Sequence, residues 1–102
     1  MAGSLIVVTG SVTARAGALD EVVRLGLEHV HRSRLEPGCL LHSMHRDLEH
    51  PNRVVFLEHW ADAHALRAHF RVPESHAFVE AVTALADEPP TIEIYEATRT
   101  SL

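Results

Sequence analysis

The chain has one cysteine, no strong positive charge, and no apolar run near the roughly 20 residues that a membrane span needs. Each shortage removes a class of protein. A single thiol, Cys39, cannot close an intramolecular disulfide; beside Gly38 it reads as a small apolar residue or as a reactive thiol. The 9 basic residues (Lys+Arg) face 14 acidic ones, for a formal charge of −5. The pI is near 5.9. Phosphate-backbone contacts need a basic footprint, so no nucleic acid is expected as a partner. No membrane is expected either, and the start from Met1 to Val8 has no basic n-region and turns polar at Thr9, which argues against a secretory leader. The cytoplasm is the expected location. Repeats, linkers and low-complexity tracts are missing too, so residues 1–102 are read as one domain, long enough to bury a core without staples.

Hydrophobic patterning gives the elements. Leu5 to Val12 is apolar and β-branched and breaks at Ala14-Arg15-Ala16-Gly17, a first strand. Leu19, Val22, Val23, Gly26, Leu27 and Val30 then draw one stripe on a helix from Ala18 to Leu35, with Asp20 and Glu21 in its first turn and His31, Arg32 and Arg34 in its last. Gly26 on that stripe implies a close neighbour. Pro37-Gly38 turns the chain into a second strand, Cys39 to Leu48. His50-Pro51-Asn52-Arg53 turns it again into a third, Val54 to Trp60, so that strands two and three form a hairpin. Asp62 caps a short helix to about Arg71, Pro73-Glu74-Ser75 separates it from a helix carrying Phe78, Val79, Val82, Leu85 and Ala86, and Pro89-Pro90 stops that helix. Thr91 to Ala97 alternates as a last strand.

The order β-α-β-β-α-β, with the second helix broken, is that of the α+β ferredoxin-like arrangement: a four-stranded antiparallel sheet with helices on one face. Strands one and three are apolar on both faces, as Val7-Val8 and Val54-Val55-Phe56-Leu57 show. Both faces should therefore be covered, and the helices cover only one. A second copy packing sheet on sheet supplies the other cover, so a homodimer is expected.

Nine histidines invite a metal reading that sequence-local spacing does not support. His29 and His31 diverge on a helix, His42 and His45 fall on opposite faces of a strand, and His64 and His69 are five apart on a helix. No metal is expected.

Glu36-Pro37-Gly38-Cys39-Leu40, His45-Arg46-Asp47, Glu58-His59-Trp60, Ala65-Leu66, His69 and the Ser75-His76-Phe78 region together resemble the antibiotic biosynthesis monooxygenase (ABM) family of dimeric α+β-barrel proteins. The resemblance runs from about Leu5 to Ala97. It implies a homodimer with a cavity between sheet and helices. It also implies oxygenation of small electron-rich aromatics, such as quinols or anthrones, by O2 without metal, flavin or haem. That reaction needs a substrate anion, hence a base and a dry, shaped cavity.

His69 matches the family's recurrent His and lies by Leu66 and Phe70 at the edge of an apolar helix face; it is a candidate base, or else a structural His bonded to backbone. Trp60 can wall the cavity or simply pack in the core. Glu58, on the face of Trp60, can hold a His in one tautomer or pair with an Arg. His42 stands where relatives often carry an aromatic residue. With Leu40 and Met44 it can line a pocket, or it can face solvent. Phe56, Leu66 and Phe70 complete the expected substrate wall. Haem-degrading relatives carry an Asn, a Trp and a His ligand where this chain has Gly10, His69 and Val79, so haem is set aside. Two alternatives stay open: an isomerase of phosphorylated signalling sugars with Arg46 or Arg67 as anion site, and a dimeric binding module without catalysis.

Overall fold

The computed structural model describes residues 3–102; Met1 and Ala2, part of the start read above against a leader, lie outside the described residues. The elements are β1 (Ser4–Thr13), α1 (Leu19–Ser33), β2 (Cys39–Arg46), β3 (Arg53–Trp60), α2 (Ala63–Arg71), α3 (Pro73–Leu85) and β4 (Thr91–Thr98). Each expected element is present. Among the described residues, no helix is long and apolar enough to cross a membrane.

The strands form one antiparallel sheet in the order β2-β3-β1-β4, the split βαβ topology that the sequence order implied. Directly paired residues share a face. Val8 stands between Glu58 and Ile94, Val12 opposite Val54, and His42 opposite Glu58. The helices cover the side that carries Val8, Val12, Val54, Phe56, Glu58, Trp60 and His42, all buried. Val22 and Val30 of α1 and Val82 of α3 close the main core against Val12, Val54 and Phe56. Full burial of a valine contributes roughly 1.5–3 kcal/mol before entropy is counted, so these contacts fix where α1 sits. A smaller cluster of Val8, Trp60, Ala65 and Leu66 holds α2 to the sheet.

On the outer face of the sheet, Val7, Val55 and Leu57 are half-buried in the single chain, and β4 is exposed over nearly all its length. Burial on β3 alternates strictly, although its sequence does not.

Three expectations need correction. The buried stripe of α1 runs Val22, Gly26, His29, Val30 and Ser33, whereas Leu27 is exposed: the helix is turned toward the His29 side. Pro73-Glu74-Ser75 is not a separator but the first turn of α3, with Pro73 at the position where a missing N–H costs nothing. Leu40 is exposed, because a register shift between Cys39 and Leu41 interrupts the alternation of β2.

Gly26 has the close neighbour it implied. A Cβ there would collide with the Met44 side chain and crowd the Phe56 ring. Met44 therefore packs in the core rather than on a substrate wall. Gly38 is more constrained: its φ is +82° and a Cβ would meet the Ala65 methyl on α2.

Candidate functional site

Two loops and five elements bring the site together. The Asp62 carboxylate accepts a hydrogen bond from the Ala65 N–H at 2.8 Å and starts α2. Two turns later this helix delivers His69 to the sheet. The Gly38 carbonyl accepts from the Ala61 N–H at 2.8 Å, which ties the turn before β2 to the end of β3. That turn carries Glu36, whose Oε1 lies 2.7 Å from His69 Nδ1. A carboxylate only accepts, so Nδ1 carries a proton, and in the neutral ring Nε2 is the nitrogen with the lone pair.

His69 does not stand alone. His29 from α1 and His42 from β2 join it, and the three rings offer ligand-type nitrogens all within 4.8 Å of one another. Their exposures are 6%, 2% and 3% for His29, His42 and His69. Phe78 stacks on the His29 ring at a centroid distance of 4.1 Å, and Trp60 lies against His69 at 4.6 Å. Arg32 Nη2 donates to His29 Nδ1 at 2.7 Å. Neither ring nitrogen of His42 has a hydrogen-bond partner among the described residues. Glu58 Oε1 accepts from Trp60 Nε1 at 2.8 Å and lies 3.5 Å from His42 Nε2.

Electrostatics keep two of these rings neutral. Burial first, then repulsion of its charged form by a protonated His42 or His69 and by Arg32, pushes His29 down to about 3. Burial first, then His69 and Arg34, pushes His42 down to about 4. Burial raises Glu58, against the lowering effect of the Trp60 hydrogen bond. The Cys39 thiol is also raised by burial, which argues for its inert reading.

A cavity of about 570 Å³ opens beside the cluster, between the sheet and the helices. Val8, Val12, Phe56, Phe78 and Val79 give it apolar walls; His29, Glu58, His69 and Ser75 supply polar atoms. Its size suits a small aromatic ring system.

Of the expected site residues, His69, Glu58 and Phe56 face this cavity and Phe70 sits at its half-open rim. Trp60 is fully buried behind His69 and does not line the cavity, so it supports the ring rather than walling a substrate. Leu66 packs with Trp60 and Val8 in the small core. Leu40 and Met44 lie elsewhere, as described. His42 is buried in the cluster, not solvent-facing. Arg46 and Arg67 are exposed and away from the cavity, where no Arg or Lys among the described residues appears. His29, Arg32 and Glu36 were missed. Their signal was present: His29 lies seven residues after Val22 on the buried stripe, and Glu36 opens the turn motif.

The fold and this sheet-and-helix cavity define an α+β ferredoxin-like protein of the ABM type. Residues 5–81 match the family model described as antibiotic biosynthesis monooxygenase, and the chain belongs to that family. It is 35% identical over 95 residues to an uncharacterised protein of Synechocystis, covering 93% of this chain and 65% of that one. The chain thus spans slightly less than two thirds of that relative. A Deinococcus radiodurans crystal structure bearing the antibiotic biosynthesis monooxygenase name superposes with a TM-score of 0.89 at 26% identity, over 95% of this chain and 96% of the other. A second crystal structure of that name gives 0.84 at 28% identity, covering 90% and 97%.

Proposed function

We propose that the protein is a cofactor-independent monooxygenase of small electron-rich aromatics of the quinol or anthrone type. The observation that carries this reading is the His69–Glu36 pair on the wall of an apolar cavity of about 570 Å³. The Nε2 lone pair of His69 takes the acidic proton of the bound substrate, and Glu36 compensates the charge the ring acquires. The resulting anion reacts directly with O2. An anthrone methylene keeps one oxygen atom as a carbonyl and releases the other as water; a quinol becomes a hydroxyquinone and water. The substrate supplies all the electrons in both cases. Phe56 and Phe78 hold the ring system, and the apolar walls exclude water from the anion.

Two copies are expected to pack through the outer face of the sheet, where Val7, Val55 and Leu57 remain half-buried and Tyr95 is exposed. The isomerase reading is weaker, because among the described residues the cavity offers a sugar phosphate no guanidinium or ammonium.

The test is oxygen uptake over a panel of hydroquinones and anthrones, with wild type and His69→Ala in the presence of a chelator. Uptake well above the uncatalysed rate, reduced in the variant, is the expected result. Uptake no faster than the uncatalysed reaction across the panel would overturn the reading.

A further inference from the structure

We propose that His29, His42 and His69 form a three-imidazole site for one divalent first-row transition ion of the zinc type, set in the wall of the cavity. The rings come from α1, β2 and α2, so no sequence-local pair announces the site. Their centroids are 5.2, 5.2 and 5.8 Å apart. An ion about 2.0–2.1 Å from an imidazole nitrogen stands roughly 3.2 Å from the ring centroid, and tetrahedral spokes of that length end roughly 5.2 Å apart. The ring spacing suits a shared ion, and the nitrogens, within 4.8 Å of one another, would close to roughly 3.3 Å around it by small ring rotations.

The surroundings agree. Glu36 on His69 Nδ1 is the carboxylate–imidazole arrangement that orients metal-bound histidines and leaves Nε2 to ligate. Glu58 Oε1, 3.5 Å from His42 Nε2, stands on the side where it would play the same part for that ring. His42 is the second, independent sign: it is 2% exposed, and among the described residues neither of its nitrogens is hydrogen-bonded. A buried imidazole with two idle nitrogens is poorly explained as packing, and an ion satisfies it. Because His29 and His69 also line the cavity, a fourth coordination position faces the space a ligand would occupy. Arg32 is the group that must yield. Its guanidinium donates to His29 Nδ1, and its part-exposed side chain would have to turn toward solvent when the ion binds.

The inference shares the cavity with the proposed oxygenation but does not rest on it, because binding is read without substrate. Chelator-stripped protein is titrated calorimetrically with Zn²⁺, then with Co²⁺ as a visible-absorbance probe. We expect one ion per chain with a Kd tighter than about 1 µM and the intense bands of four-coordinate cobalt. His42→Leu should weaken binding by roughly 100-fold or more and Glu36→Gln by roughly 10- to 100-fold. Arg32→Gln should tighten it, while exposed His64→Ala should leave it unchanged. If His42→Leu fails to fold, Glu36→Gln and the Zn²⁺-induced rise in the wild-type melting temperature decide. Several weak ions per chain, or a tight site untouched by Glu36→Gln and His42→Leu, would overturn the proposal. An ion and a proton cannot share His69 Nε2, so Zn²⁺ should suppress oxygen uptake and a chelator restore it. Oxygen uptake that requires the ion would support this site while overturning the base assignment.

Discussion

Replacing His42 by Leu should stabilise the metal-free protein. The side chain is 2% exposed, and neither nitrogen is hydrogen-bonded among the described residues. Burial of an unsatisfied polar group costs about 1–3 kcal/mol, and Leu fills a similar volume without that penalty. The expected gain is therefore about 1–3 kcal/mol. For a domain of this size each 1 kcal/mol moves Tm by roughly 4–8 °C. A second signature follows from ionisation. His42 is held at about 4, and the unfolded ring titrates near its ordinary value of about 6.5. Between those values the unfolded chain binds more protons, so native stability is whole above about pH 6.5 and falls as the pH drops toward 4. Each such ring contributes a slope of about 1.4 kcal/mol per pH unit, and His29, held at about 3, adds a parallel slope of that size. Arg32, Arg34 and His69 face these rings and add to the cost of charging them. Calorimetric melting with EDTA, from pH 8 to pH 5, would compare wild type with His42→Leu. The variant should melt higher at pH 7.5 and lose about half of the acid slope. A variant destabilised by more than about 1 kcal/mol, with an unchanged slope, would show that His42 is well satisfied in solution and that the reasoning fails.

Gly38→Ala should cost about 1–3 kcal/mol, read as a lowered urea midpoint, since it forces a side chain into a left-handed backbone and against Ala65. Glu36→Gln should lower turnover by roughly 10²-fold, with a smaller change in KM, because the amide no longer fixes the His69 tautomer or offsets its charge. Light scattering at micromolar concentration should report about twice the 11.3 kDa chain mass; a monomer would remove the case for a second copy on the outer sheet face.

The fold was legible because its signals are local and consistent. The Pro37-Gly38 turn, the Asp62 cap and the switches in hydrophobic period each mark an element boundary that the structure reproduces. Errors arose where tertiary packing overrides period. Leu40 slips out of alternation at a bulge, and α1 turns its His29 side inward because Gly26 lets Met44 and Phe56 approach. The candidate site was half legible. His69, Glu58 and Phe56 were placed by family likeness, but the histidine cluster joins residues from α1, β2 and α2, a juxtaposition that spacing along one element cannot reveal. The two-residue spacing of His29 and His31 on α1 carries no information about the tertiary neighbours of His29. The stripe from Val22 to Ser33 was the better guide, since it places His29 among buried residues.

The central claim is that this cavity oxygenates an aromatic anion formed by His69. Mass spectrometry of products made under isotopically labelled O2, in the presence of a chelator, tests it most directly. Wild type should place one labelled atom in each product molecule, and His69→Ala, compared at a temperature where it is still folded, should do so roughly 10²- to 10⁴-fold more slowly. Product oxygen drawn from water, or a labelled yield in the variant equal to that of wild type, would contradict the account.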